Sequence, residues 1–343
     1  MKRRRKLGFP IVVAAGIGTT CWLVLRTRDP VYQGQTLSYW FDQFNTTNRP
    51  QAAIAIRQIG TNAVPFLLEK AKSKDGDTLY ERLYRTIYYR APTILQRRLP
   101  LPKPIENTYD YRVASALQLL GLPAVPQLIE AMGDRHSKVR LAAVRVTGLI
   151  GPEANEAVPT LAKLVSDPNG EVRVEAVCAL SVMGQHKRLA VQALIGALND
   201  SNRGSKPGMT VYVKENAARV LGEIGPEARS AVAPLTRLLS DTNSYSYARE
   251  QAAIALWRIN RDTNVIPVLI AELESASEAP AYGRILTALR EMGPSARAAV
   301  PVIIKTIKDQ RGMPNNHGID IRAVGLKALE EIDPEAATKA GVK

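Results

Sequence analysis

Residues 151–180 read GPEANEAVPTLAKLVSDPNGEVRVEAVCAL, and versions of this phrase return along the chain at a nearly fixed interval. The anchoring prolines fall at Pro126, Pro159, Pro234, Pro267 and Pro301. Gln192 holds the place between Pro159 and Pro234, so the steps are 33, 33, 42, 33 and 34 residues. The long step contains residues 203–210, RGSKPGMT, and a tandem array accepts such an insertion in a turn without losing register. Each period holds two apolar patterns of helical spacing. Val158, Leu161, Ala162, Leu164 and Val165 recur at three and four residues, and so do Val172, Val174, Ala176, Val177, Ala179 and Leu180. Proline near the start of the first helix and glycine after the second (Gly121, Gly151, Gly184, Gly225, Gly293) supply start and stop signals, the glycine in a left-handed C-terminal position. One such hairpin, about 30 residues long, cannot bury its own apolar stripes. Stacked copies can, which predicts an all-α solenoid with Leu180 and Leu221 in its core.

With its proline in the first helix, an aspartate at the turn and Val-Arg opening the second helix, the chain resembles the HEAT-repeat family over roughly residues 48–333. The acid and base positions read Asp134 with Arg140, Asp167 with Arg173, Asp200 with Lys214, Asp241 with Arg249 and Asp309 with Arg322. The resemblance implies that these residues form a hydrogen-bonded ladder between neighbouring repeats, with Asp134 to Arg173 as one such step. An acid at a first-helix end and a base near a second-helix start are suited to meet across stacked turns. The unit from Val265 to Met292 departs from the pattern because Glu274 and Arg284 lie further apart, and Gln192 replaces a first-helix proline. Two other proteins with HEAT-like repeats are similar in architecture. Deoxyhypusine hydroxylase depends on His-Glu pairs that are missing here, and no additional motif supports the activity of the bilin lyases.

The N-terminus carries a different signal. Lys2, Arg3, Arg4, Arg5 and Lys6 precede residues 7–25, a run of 19 residues without a charge, about the length needed to cross roughly 30 Å of hydrocarbon. Trp22, Leu23, Val24, Leu25 and Arg26 stand where a cleaved signal would have small residues, so the run reads as an uncleaved signal anchor. Five bases before the span against Arg26 and Arg28 after it predict a single-pass topology with a cytoplasmic N-terminus and the solenoid outside. Ala14 and Gly18 form a small-xxx-small pair through which two anchors could pack into a homodimer. Five segments follow from this reading: a basic cytoplasmic tail at 1–6, the anchor at 7–25, a tether and capping helix at 26–47, irregular early repeats at 48–109, and the regular array at 110–343. Residues 29–36 are turn-rich, after which Leu37, Trp40, Phe41 and Phe44 make the apolar face of the capping helix. Within the early repeats, residues 79–104 combine Tyr80, Tyr84 and Tyr88 with Arg82, Arg85, Arg90, Arg97, Arg98 and Lys103. This reads as a long helix packed through its tyrosines, with a solvated basic face.

The charge balance narrows the choice of partners. Net charge is +14, but seven bases and no acid lie within residues 1–28, leaving 39 bases against 32 acids and a net +7 for the body. Second helices interleave Arg145, Arg173, Arg219 and Arg258 with Glu175, Glu215, Glu223 and Glu250, whereas a nucleic-acid groove concentrates one sign on one face. Cys21 and Cys178 are the only cysteines, so no disulfide framework is implied. His136, His186 and His317 lie far apart, and no phosphate loop, nucleophile elbow or paired catalytic carboxylates can be recognised. The sequence therefore predicts a membrane-tethered scaffold that binds a protein partner, with no cofactor, no metal and no catalysis. An accessory enzyme subunit of the lyase type and a peripheral binder of anionic lipid or nucleic acid are the competing readings. Two turns between first and second helix are expanded, at 202–212 and 311–318, and they must emerge on one edge. Arg203, Lys206 and Arg311 on that edge are the first candidates for partner binding, and Arg145, Arg219 and Arg258 on the second helices are the next.

Overall fold

The structure is a computed structural model describing residues 29–72, 88, 108–200, 213–241, 246–276, 278–309 and 320–341. The basic tail, the 7–25 span, the expanded turns and all of the 79–104 segment except Tyr88 lie outside these residues. The chain divides into two compact units, Met1–Ala154 and Asn155–Lys343.

The first unit opens with a two-stranded antiparallel hairpin, β1 (Val31–Tyr32) and β2 (Gln35–Thr36), with Val31 opposite Thr36. Its turn residues Gln33 and Gly34 both take positive φ, 49° and 76°, which matches the right-handed twist of the strands. The expected tether is thus a folded hairpin. Trp40 donates its indole N–H to the carbonyl of Tyr32 at 3.2 Å, fastening the hairpin to the following helix α1 (Leu37–Gln43). Thr36 caps that helix, and Leu37, Phe41 and Phe44 are buried beneath it. Three of the four residues assigned to the capping face therefore close the core, while Trp40 remains partly exposed. Arg112 holds the end of α1 in place, donating to the Phe41 carbonyl at 2.6 Å and lying 4.6 Å from the Phe41 ring centroid.

Hairpins follow in sequence order. Helices α2 (Arg49–Ile59), α3 (Val64–Lys72), α4 (Thr108–Gln118), α5 (Val125–Ala131) and α6 (Ser137–Ile150) complete the first unit. The second unit contains α7 (Val158–Leu164), α8 (Gly170–Ser181), α9 (Val191–Ala197), α10 (Val213–Ile224) and α11 (Val232–Ser240). It continues with α12 (Ser246–Asn260), α13 (Ile266–Ser275), α14 (Ala279–Met292), α15 (Val300–Asp309), α16 (Ile321–Ile332) and α17 (Pro334–Gly341). From α3 to α16, odd-numbered helices are the first members of the repeats and even-numbered helices the second. Second helices pack on second helices, α8 on α10, α10 on α12 and α14 on α16. Among the described residues no single helix is long and apolar enough to cross a membrane.

The quoted phrase folds as a 3₁₀ turn joining one hairpin to the next, at Gly151–Ala157, Gly184–Ala190, Gly225–Ala231 and Gly293–Ala299. Its small residues are the reason. Ala228, Ala231, Ala296 and Ala299 are fully buried, and a larger side chain there would hold the hairpins apart. The leading glycines have positive φ as expected, but ψ is near −146° at Gly151, in a region essentially reserved for glycine. Gln192 occupies the proline position of α9 without disturbing the helix start, so the proline is tolerated there and not required.

Close approach of α10 and α12 depends on Gly222, where an added Cβ would lie 2.8 Å from the Ala255 Cα. Because the obstacle is backbone, Gly222→Ala is expected to lower stability by about 1–3 kcal/mol in denaturant unfolding. A neutral result would mean that the two helices can part at no cost.

Candidate functional site

The turn acids and bases organise each repeat locally. The Asp134 carboxylate accepts the His136 amide at 2.8 Å, and Arg140 donates to the Asp134 carbonyl at 2.8 Å. The same motif recurs one repeat later, where Asp167 accepts the Asn169 amide and Arg173 donates to the Asp167 carbonyl, both at 2.8 Å. Steps between repeats run from the base of one to the acid of the next. Arg173 pairs with Asp200 at 2.5 Å, and Arg249 pairs with Glu272 at 3.3 Å. Glu272, not Glu274, therefore supplies the acid in the unit that departs from the pattern. Arg249 also approaches the Leu239 carbonyl, while Asp241 ends α11 as its C-terminal cap. At the last position, Asp309 ends α15, and the buried Nε of Arg322 has no partner among the described residues.

Of the candidate partner-binding residues, Arg145 lies half-buried on α6 in the first unit. Arg203, Lys206 and Arg311 lie outside the described residues. Arg219 and Arg258 come together: both line a groove of about 450 Å³ that runs across α10, α12 and α14 in the second unit, with Val324 of α16 at its end. Its floor includes Ile254, Ala288, Val324 and the bare backbone of Gly283. Two of its arginines are locked in ion pairs about one period apart. Arg258 on α12 donates through Nε and Nη2 to Glu291 on α14, at 2.9 and 2.7 Å. Arg284 on α14 donates through the same two nitrogens to Glu250 on α12, at 2.7 and 3.1 Å, and its guanidinium lies 4.5 Å from the Tyr247 ring centroid. Arg219 bonds Glu223 on its own helix, and Lys187 holds the other Glu223 oxygen at 3.1 Å.

Sequence reading missed the Glu250–Arg284 pair. Its signal was available, since the two residues are 34 apart, close to one period, on successive second helices. Glu250 is only 2% exposed, and this burial pushes its carboxyl above the usual range, opposed but not cancelled by the hydrogen bond and charge of Arg284.

A second buried acid, Glu215, stands at the start of α10 without hydrogen-bond partners for either oxygen among the described residues. Burial pushes its carboxyl up. Its own amide and Lys214 oppose the shift, and Asp200 adds to it. The folded state therefore keeps this proton to a higher pH than the unfolded state, so the stabilisation is complete below about 4.5 and is lost as pH rises through the folded pKa. Glu215→Gln is expected to remove the loss, gaining about 1–3 kcal/mol at pH 8 and little at pH 4. Urea unfolding at the two pH values checks this, and equal gains at both would rule out a protonated Glu215.

Among the described residues no three side chains of the metal-binding kinds converge. His136 instead bonds Asp134 through Nδ1 at 2.8 Å.

Successive second helices with a groove across them, and base-to-acid steps between repeats, are the arrangement of a stacked helical-repeat protein. Residues 111–205 match the family model described as HEAT repeats, so that stretch is built of HEAT repeats. No curated protein matches the chain. Among solved structures, the complex of CpcE and CpcF of phycocyanin lyase from Nostoc sp. PCC7120 is similar at 19% identity and a TM-score of 0.44, over 78% of this chain and 94% of that one. An engineered protein is similar at 19% identity and a TM-score of 0.34, over 89% of this chain and 97% of that one.

Proposed function

We propose that the chain is a membrane-tethered HEAT-repeat scaffold that binds a partner protein through the groove of α10, α12 and α14 and performs no catalysis of its own. The groove supports this reading because it offers an apolar floor edged by charged side chains whose rotamers are already fixed by ion pairs, which lowers the entropy cost of association. Stacked helical repeats present extended surfaces suited to recognition. The tether rests on the basic cluster at residues 2–6 and the uncharged run at 7–25, a pattern that supports a cytoplasmic N-terminus with the repeats outside.

Photo-crosslinking in native membranes tests both parts. A probe at Val324, on the groove floor, should capture one partner, and filling the groove with Thr287→Trp should abolish the capture. Alkali washing should leave the chain in the membrane fraction. If probes at Lys206 and Arg311 capture the partner while Val324 does not, binding belongs to the edge of the expanded turns. If the chain is released by alkali, there is no anchor.

A further inference from the structure

We propose that the groove selects an acidic, amphipathic peptide segment of the partner, seating one carboxylate against Arg258, another against Arg284, and an apolar side chain over Ile254 and Ala288. This rests on the reading of the groove as a partner-binding surface and adds the chemistry of what it accepts.

The hydrogen bonding of the two arginines carries the inference. Each is gripped side-on through Nε and Nη2, Arg258 by Glu291 and Arg284 by Glu250. In both, Nη1 makes no bond among the described residues, while the side chain lines the groove. Side-on capture fixes the plane of a guanidinium, and the Tyr247 ring beneath Arg284 fixes it further. Two sets of N–H donors are thus oriented before a ligand arrives, and a planar acceptor with two oxygens is the group they fit.

The acids in and around the groove do not compete for those donors. Glu223, the single acidic residue of the lining, has its oxygens engaged by Arg219 and Lys187. Glu250 is buried beneath Arg284. Among the lining charges and the groups that hold them, Lys187, Arg219, Arg258 and Arg284 stand against Glu223, Glu250 and Glu291, so one positive charge is in excess and a basic segment gains nothing here. The floor of Ile254, Ala288 and Gly283 calls for an apolar side chain next to the carboxylate, which a peptide of alternating character supplies and a nucleic-acid backbone does not. A volume of about 450 Å³ accommodates a few side chains, as expected for one face of a short helix.

The test uses the full chain in detergent and three fluorescent 14-residue peptides that share one Leu/Ala helical framework and carry Glu, Gln or Lys at the polar positions. The Glu peptide should bind about tenfold or more tightly than the Gln peptide, and the Lys peptide more weakly than either. Arg258→Gln should bring the Glu peptide down towards the affinity of the Gln peptide, and Thr287→Trp should remove binding of both. Unfolding midpoints of the two variants establish that they remain folded. A Glu peptide that binds no better than its Gln or Lys counterpart overturns the proposal, and so does unchanged binding in both variants. Tighter binding of a single-stranded oligonucleotide than of the Glu peptide overturns it as well. If the Val324 probe still captures a protein in membranes while the three peptides bind alike, the carboxylate preference fails and partner binding stands.

Discussion

Leu221→Ala is expected to cost about 2–5 kcal/mol of stability, the range for removing a buried leucine from a packed core, and Leu180→Ala a similar amount. Both side chains are fully buried, Leu180 on α8 and Leu221 on α10. Helix α10 packs against α8 on one side and α12 on the other, so a cavity at Leu221 weakens both interfaces. Little collapse is available to relieve it, because α10 already lies so close to α12 at the neighbouring Gly222 that not even a Cβ fits against Ala255. His136→Ala is the contrast. It removes one side-chain contact with Asp134 at a partly exposed turn, where the backbone bond from the His136 amide survives, and should change stability by less than about 0.5 kcal/mol. Denaturant unfolding of the three variants distinguishes them. Near-neutral leucine variants would show that the helical faces are wrongly placed.

Arg284→Ala should cost about 2–4 kcal/mol, somewhat below the range of about 3–5 for breaking a fully buried ion pair, because the Arg284 side chain is 37% exposed. Much of that cost is the uncompensated charge left on Glu250. The double variant Glu250→Gln/Arg284→Ala should therefore recover most of the loss, and the two substitutions should be strongly non-additive. A pH signature accompanies this. Without Arg284 only the Gln251 hydrogen bond still opposes the raised Glu250 carboxyl, so the variant should lose stability more steeply than the wild type as pH rises from about 4.5, the ordinary carboxylate range. Equal pH slopes in the two proteins would mean that Glu250 finds another partner. Additive single substitutions would mean that the pair contributes as two independent charges.

Repetition made the helical hairpins legible, since Pro126 through Pro301, with Gln192 in one place, mark one helix of each period and the glycines mark the turns. Arg219 and Arg258 were legible as second-helix bases, and both line the groove. The direction of the ladder was not legible. Arg173 reaches Asp200 because the acid that ends the next first helix comes to lie beside it, and spacing along the chain does not say whether a base meets the acid before it or after it. Glu250 and Arg284 were hidden for a related reason. Each reads alone as one more charge on a solvated helix, and only stacking buries the glutamate and turns the arginine onto it. The hairpin at Val31–Thr36 was missed because two-residue strands leave no periodic pattern, although Gln33–Gly34 was its turn signal.

The sequence by itself determined the repeat, the class of fold and the identity of the buried stripes, because these depend on periodicity and on residues such as Leu180 and Leu221 whose burial requires no particular partner. Tertiary structure alone decided which charges meet and where a groove opens. An ion pair between Arg258 and Glu291 depends on the angle and distance at which one helix lies on the next. That geometry is fixed by contacts such as Gly222 on Ala255, between residues 33 apart in the chain, where interlocking shape and not hydrophobic pattern sets the approach.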